Sequence, residues 1–254
     1  MSELALLIIN YNNSGWLLEC FNSVNSQTLP EFDVIFVDDC STDNSVAFFE
    51  AFKWRKGIRA ELVQTDNNSG VSISRNLGAS KVAVEFITQI DSDDFFLVPD
   101  KLEKELRLAK ENLGGIAFSA IQLVDGDSAP LAAMGSPKID EGDIASGIFK
   151  RDIMIPRDFT LPLELFFRAG AYDPSINLYE DWDLKLRLAL LSKFYYSGVK
   201  GVAYRRHGSG LSAVDSTRHK EAQARVLLKN LNPYAQKLGY ENVYASLLER
   251  GFCK

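Results

Sequence analysis

Histidine and cysteine are scarce in this chain, with two histidines and three cysteines among 254 residues. The cysteines (Cys20, Cys40 and Cys253) are odd in number, widely spaced and form no C-x-x-C pair. That excludes a disulfide framework, points to a reducing compartment and leaves a zinc centre without a ligand set. Long apolar runs are missing too. The first spans only Leu4 to Ile9 and follows no basic segment, and no stretch approaches the ~18 apolar residues of a membrane span. The chain is therefore expected to have no transmembrane segment and to stay in the cytoplasm. Basic charge is in deficit: 28 Lys and Arg against 34 Asp and Glu give a net charge of −6, which argues against nucleic acid as a partner. No repeat or low-complexity tract is present.

What is there is an average globular composition, with 46% hydrophobic and 24% charged residues. At roughly 100–200 residues per domain, this length fits one domain with an appendage. Up to Asp91 two hydrophobic periods alternate. LALLII is a continuous apolar run, as in a strand covered on both faces. Trp16, Leu17, Cys20, Phe21 and Val24 are then spaced as on a helix. FDVIFV is a second strand, and Thr42 or Asp43 can cap a helix from Ser45 to Trp54. IRAELVQ, the helix VSISRNLGASKVA and VEFITQI complete the pattern, with the fourth strand ending at Asp91. Strand–helix alternation with short turns predicts βαβ units and a parallel sheet.

After Pro99 the pattern loosens. Lys101 to Glu111 reads as a charged helix, GGIAFSAIQLV as a strand and the Gly-, Ser-, Pro- and Asp-rich stretch Asp125 to Gly147 as a mobile loop. FTLPLELFFR is expected to be a strand and Asp181 to Leu191 a helix. FYYSGVKGVAYRR reads as two short strands around Ser197-Gly198, and the final residues as two helices broken near Asn232-Pro233.

In an open parallel sheet, ligands bind beyond the carboxyl ends of the strands. Such ends here carry Asn10-Tyr11-Asn12, Asp38-Asp39 and Asp91-Ser92-Asp93-Asp94. Carboxylate pairs at strand ends are unfavourable unless neutralised, which suggests a cation or a hydrogen-bonding ligand. Asp91 and Asp93 share a face if extended, Asp94 joins them if the chain turns, and such hard oxygen ligands suit Mg²⁺ or Mn²⁺. A solvated turn or helix cap would look the same. A calcium loop counted from Asp91 fails at Phe96 and Leu102; one counted from Asp39 fails at Asn44 and follows a strand.

Asp39 can accept a hydrogen bond from a base N–H. Tyr11 can stack on a nucleobase, a contact worth ~1–3 kcal/mol, or be an ordinary loop tyrosine. Arg75 carries a fork suited to a diphosphate, or is an exposed helix arginine. Glu180, Asp181 and Asp183 sit at a helix start, where the dipole favours carboxylates, and one of them can act as a general base. His207 follows Arg205 and Arg206 before a Gly-Ser-Gly loop, a candidate phosphate cradle or metal ligand that could close over a diphosphate. His219 is expected in solvent. From Lys200 to Asn230 seven basic residues stand against two acidic ones, a local +5 that implies an anionic neighbour or a solvated helix face.

Taken in order, LLIINYNNSGWLLECFNSVNSQTLPEFDVIFVDDCSTDNS, NSGVSISRNLGA, FITQIDSDDFFLVPDKL and FFRAGAYDPSINLYEDWDLKLRL closely resemble family 2 of the inverting nucleotide-sugar glycosyltransferases, over roughly residues 4 to 212. The resemblance implies an α/β, GT-A fold with a mostly parallel central sheet flanked by helices. A nucleotide-sugar-binding half (1–98) would join an acceptor-binding half (99–212) in one continuous sheet, with a C-terminal helical extension at 213–254. By position, Asn10, Tyr11 and Asp39 would hold the donor's base, Arg75 the base and diphosphate, and Asp91-Ser92-Asp93 the D-x-D motif. Asp93 or Asp94 would touch a divalent metal, Mn²⁺ or Mg²⁺, with His207 near the metal and diphosphate. Asp181 would be the catalytic base, with Glu180, Trp182 and Arg206 in acceptor-contacting or supporting roles.

The first motif reads I-N-Y-N where many members have P-T-Y-N, and the Q-x-x-R-W motif of processive synthases is absent. The implied reaction is transfer of one sugar from a nucleotide-sugar donor, a UDP-sugar above all, to a hydroxyl acceptor. That acceptor would be a saccharide or lipid-linked saccharide in polysaccharide, lipopolysaccharide or other glycoconjugate synthesis. Residues 200–230 would offer a peripheral contact at the inner face of the membrane. A sugar-nucleotide pyrophosphorylase should carry a Gly- and Arg-rich loop after the first strand, which NYNNSGW is not. A non-catalytic nucleotide-sugar-binding or partner-binding protein should have lost the D-x-D or the base.

Overall fold

Leu4–Asn10 forms β1, and all of its residues are buried. Strand geometry turns alternate residues to opposite faces. Leu7 and Ile9 pack into one core and Leu4, Leu6 and Ile8 into another, which is why the strand reads as an unbroken apolar run. The computed structural model describes residues 2–131, 138–207 and 215–252. After β1 come α1 (Leu17–Asn25), β2 (Phe32–Asp38), α2 (Ser45–Ala51), β3 (Ile58–Gln64), α3 (Val71–Ser80) and β4 (Phe86–Asp91). β1 lies parallel to both β2 and β4, with Ile8 opposite Phe36 and Ile90. With β3 and the two-residue β7 (Leu161–Pro162) the order is β3-β2-β1-β4-β7, and β7 alone is antiparallel. The winding reverses between β1 and β4, so the crevice of this sheet opens where Asn10 and Asp91 end their strands.

The second half contains β5 (Phe95–Phe96), α4 (Lys101–Glu111), β6 (Ile116–Val124), α5 (Ala145–Lys150), α6 (Leu163–Arg168), α7 (Glu180–Leu191) and β8 (Phe194–Arg205). Its three strands form a separate sheet in the order β5-β8-β6. The single continuous sheet expected from the resemblance is thus two. A bridge between Ala117 and Thr160 joins them, with both backbone hydrogen bonds at 2.8 Å.

Several expected elements differ. FTLPLELFFR is a strand only at Leu161–Pro162 and then becomes α6, where Leu165 and Phe166 enter the core. FYYSGVKGVAYR is one strand, not two. Gly198, at φ +78°, and register shifts opposite Phe118, Ala120 and Ile121 absorb the irregularity. α2 stops at Ala51 because Phe52 is already extended. α8 (Ser216–Leu238) runs through Pro233, and the break falls at Gly239, before α9 (Tyr240–Glu249). Proline removes one helical hydrogen bond. Burial of the neighbouring Tyr234, stacked on Phe149 at 4.8 Å, offsets that loss. In the stretch expected as a mobile loop, the Asp125 carboxylate accepts the Asp127 and Ala129 N–H groups, and Ala145 already opens α5. Its residues 132–137 lie outside the described ones.

Gly78 brings α3 close to the sheet. A Cβ there would meet Val37 Cγ2 at 2.7 Å and Leu7 Cδ2 at 3.3 Å. Gly78→Ala should gain ~1 kcal/mol of helix propensity and lose ~1–3 kcal/mol to overpacking. A net fall in melting temperature is expected by calorimetry, whereas the exposed Ser80→Ala on the same helix should raise it or leave it unchanged.

Candidate active site

The acidic turn is a consequence of backbone bonding. Ser92 N–H donates to the Ile9 carbonyl (2.9 Å) and Asp94 N–H to the Asp91 carbonyl (3.0 Å), so the chain folds back as β4 ends. Asp91, Asp93 and Asp94 then bring carboxylate oxygens within 4.8 Å of one another. Asp94 is fully buried, while the Asp91 and Asp93 side chains keep 19% and 18% of their exposure and face the crevice. Ser92 is buried, and its hydroxyl accepts from Asn13 Nδ2 at 3.0 Å.

Two guanidiniums and an imidazole answer these carboxylates. Arg75 contacts Asp91 at 2.9 Å. Arg157 contacts Asp91 at 2.9 Å and Asp94 at 2.7 Å. His207 Nε2 lies 2.8 Å from Asp93 Oδ2, its ring tilted against Trp16 with centroids 4.5 Å apart. Asp94 Oδ1 also accepts the Arg205 backbone N–H at 2.8 Å. Burial pushes the Asp91 carboxyl up, but the charges of Arg157 and Arg75 outweigh it and hold it below the usual carboxylate range. For Asp94 burial wins, reinforced by the neighbouring Asp93, Asp158 and Asp91 charges, and its carboxyl is pushed well up.

Arg75 departs from expectation. It is 1% exposed, with one fork nitrogen on Asp91 and the other on Glu180 Oε1 at 2.7 Å, so the fork is not free for a diphosphate. Its burial within α3 beside the Tyr172 ring (5.1 Å) explains why: a buried guanidinium must be paired. Asp39 also has its oxygens engaged, accepting from Thr65 Oγ1 (2.8 Å), Ser69 N–H (2.9 Å) and Gly70 N–H (2.8 Å). It shapes the loop before α3. Asn10 is buried and donates to Asp38 (2.7 Å) and Ser41 (3.0 Å), while its Oδ1 has no partner. Tyr11 is 44% exposed, outside the core as expected. Asp43, not Thr42, serves the start of α2, accepting the Ser45 N–H at 3.0 Å.

On the other side of the crevice, α7 begins at Glu180. Glu180 is buried and bonded to Arg75, and burial raises its carboxyl. Asp181 keeps 28% side-chain exposure and pairs with Lys185 at 2.7 Å. Burial pushes this carboxyl up, but Lys185, Arg157 and Arg75 together bring it down to about 2. Asp183 points away, bonded to Arg187, Lys229 and Asn230. Trp182 cannot meet an acceptor with its edge: it is 5% exposed, and its indole N–H is spent on the Ile148 carbonyl at 2.9 Å.

Arg205 is not a phosphate cradle. It is buried and bonded to Glu19, the Asp93 and Gly126 carbonyls and Ser128. Arg206 lies over the Tyr204 ring at 5.9 Å. Within the basic stretch, three of the seven basic residues, Arg205, Arg218 and Lys229, are paired with carboxylates of this chain. His219 is not simply solvated, since its Nδ1 lies 3.0 Å from Tyr179 Oη. The loop expected to close over a diphosphate lies, from residue 208 to 214, outside the described residues. Arg157 and Lys185 were missed. Lys185 stood at i+4 from Asp181, a readable pairing signal; Arg157 sits in MIPRDFT, which has no periodicity to place it.

The parallel sheet, its reversed winding and the acidic turn at the switch point define an α/β protein of the GT-A class. The chain belongs to glycosyl transferase family 2, whose model matches residues 5–170. It is similar to the glycosyltransferase GlyG of Streptococcus pneumoniae (32% identity over 128 residues, 50% of this chain and 38% of the relative). It is also similar to the poly(ribitol-phosphate) beta-N-acetylglucosaminyltransferase TarS of Staphylococcus aureus (23% identity, 99% of this chain and 44% of the relative). A third relative is the putative teichuronic acid biosynthesis glycosyltransferase TuaG of Bacillus subtilis (30% identity over 122 residues, 48% of each). The chain thus spans less than half the length of these curated relatives. Crystal structures of S. aureus TarS 1–349 share the fold. The TM-score is 0.74 at 20% identity over 99% of this chain and 72% of that one, and again 0.74 at 20% identity for its complex with UDP-GlcNAc, over 91% and 67%. Among the described residues no helix is long and apolar enough to cross a membrane.

Removing one partner of a buried ion pair typically costs ~3–5 kcal/mol. Arg157→Met should therefore lower the denaturant midpoint sharply. Adding Asp94→Asn should recover part of the loss, and the coupling can be read from a double-mutant cycle. Strictly additive losses would show that Arg157 does not neutralise Asp94.

Proposed function

We propose that the protein is an inverting glycosyltransferase that moves one sugar from a UDP-sugar to a hydroxyl on a saccharide or lipid-linked saccharide acceptor. One observation carries this reading: Arg75 bridges Asp91 and Glu180. The acidic turn and the Glu180-Asp181 pair therefore line one crevice, which can hold the two ends of a nucleotide sugar's reacting bond. The UDP-GlcNAc complex of a fold neighbour and relatives named for polymer glycosylation support the donor and acceptor classes.

Tyr11, exposed beside Asn10, offers its ring to the uracil, while Asn10 and Asp39 hold the loops that frame it. Clustered carboxylate oxygens with an adjacent imidazole are a hard donor set that fits Mg²⁺ or Mn²⁺. Asp93, Asp91 and His207 would hold the ion. Asp94, bonded on both oxygens, positions Arg157 and Arg205 instead. Bound there, the ion supplies charge neutralisation for the departing diphosphate.

Asp181 takes the proton of the acceptor hydroxyl. It is the more exposed carboxylate of its pair, and geometry ranks before pKa in choosing a base. As the acceptor oxygen bonds to the anomeric carbon, the bond from that carbon to the diphosphate breaks on the opposite face. UDP leaves with the electron pair, the proton ends on Asp181 and the configuration inverts. A carboxyl near 2 is fully ionised at neutral pH, and the acceptor oxygen becomes strongly acidic as its new bond forms. No membrane contact is assigned to the basic stretch, in which Arg205, Arg218 and Lys229 are paired with carboxylates of the chain.

Turnover of UDP-sugars with Mn²⁺, lost in excess chelator, tests the function. General-base catalysis contributes roughly 10²–10⁴-fold, so Asp181→Asn should lose about that much rate and still bind UDP. UDP-sugar binding without turnover by the unmodified protein would favour a binding module instead.

Lys185 generates a pH prediction. Without its charge the Asp181 carboxyl rises and is protonated over a wider acidic range, where it cannot accept a proton. In Lys185→Met the acid limb of the pH–rate profile should shift to higher pH. An unmoved limb would mean that another group sets it.

A further inference from the structure

Two guanidiniums share one indole at the start of α7. Arg151 lies over the rings of Tyr179 (4.8 Å) and Trp182 (5.1 Å), and Arg250 over Trp182 (5.2 Å) and Phe252 (4.9 Å). Among the described residues neither is in an ion pair. Arg250 donates to the Phe149 carbonyl (3.3 Å) and Gln223 Oε1 (3.0 Å), and among the described residues the Arg151 guanidinium has no hydrogen-bond acceptor. Two cations held together without a counter-ion repel. Burial first, and then the charge of Arg151, hold Arg250 below the usual arginine range; Asp152 acts on it only from beyond ion-pair distance.

The fold nevertheless keeps them in place. Arg151 is the left-handed C-cap of α5 at φ +60°, and Tyr179 is left-handed at +68°. Both are side-chain-bearing residues in a region that favours glycine, a kind of strain that clusters at functional sites. Trp182 is anchored to the Ile148 carbonyl, and Tyr179 Oη is fixed by His219 and Gln223. These two rings flank Glu180-Asp181 in the chain. No residue of the acidic turn makes an ion pair or hydrogen bond with either guanidinium.

We propose that Arg151 and Arg250 form a subsite for a phosphate ester carried by the acceptor, on the rings of the segment that carries the Glu180-Asp181 pair. This rests on the transfer reaction proposed above. Guanidinium forks bind phosphate oxygens bidentately, and no acceptor among the described residues takes the Arg151 guanidinium donors. An anion there would also relieve the repulsion between the two cations.

The test is a titration of ¹⁵N-labelled protein with glycerol 3-phosphate, inorganic phosphate and glycerol, following the Trp182 indole and Arg250 Nε–H signals. Glycerol 3-phosphate should give saturable shifts and glycerol none. Loss of a charge-assisted contact should weaken binding by roughly 10- to 100-fold in Arg151→Gln, with partial recovery in Arg151→Lys. Arg151 is exposed, and an unchanged melting temperature will verify that its replacement leaves the fold intact. Equal affinity in Arg151→Gln, or a response to glycerol, would overturn the subsite. Affinity for glycerol 3-phosphate no higher than for inorganic phosphate would overturn its assignment to an ester. UDP-sugar hydrolysis by the unmodified protein is measured separately. Hydrolysis without phosphate-ester binding removes the subsite alone, whereas binding without hydrolysis removes the transfer reading.

Discussion

The charge balance at Asp91 is the constraint on which the rest of the site depends. A parallel sheet brings Asp91 to a strand end beside Asp93 and Asp94, and their mutual repulsion in a half-buried crevice must be answered. Arg75 and Arg157 answer it from opposite directions, one from α3 and one from the loop before β7. Each guanidinium is in turn tolerated only because carboxylates surround it. Arg75 reaches on to Glu180, so α3 is tied to the first turn of α7. Neither half of the chain has a complete site alone.

A second knot holds the other wall. Arg205 gathers Glu19 from α1, the Asp93 carbonyl and the turn at Asp125–Ser128, while its backbone N–H takes Asp94. Trp16 packs on His207 and donates to the Gly126 carbonyl. The residues that face the crevice, Asp93, His207 and Tyr11, thus stand on a frame of buried bonds, which is what positions functional groups within fractions of an ångström. Beneath them the buried Lys101–Glu105 pair, bonded to Thr160 and the Asp158 carbonyl, ties α4 to the junction of the two sheets.

Local pattern alone located β1 to β4, α3, α4 and the acidic cluster, because buried parallel strands and amphipathic helices write their period into neighbouring residues. It also placed Tyr11 outside the core and Asp181 at a helix start. The segment at 159–168, the single long β8 and the passage of α8 through Pro233 were not legible. In each, packing against a distant partner, such as Phe149 against Tyr234, outweighed the local signal.

Tertiary structure alone decided which polar groups remain open for a ligand. Arg75 and Glu180 are 105 positions apart, Arg205 and Glu19 186, and Asp93 and His207 114. No spacing rule reaches across such distances. Sequence therefore named the residue types the chemistry requires. Which arginine is buried to neutralise the site, which aspartate stays exposed and which cations are left without a counter-ion follow only from which side chains the folded chain brings into contact.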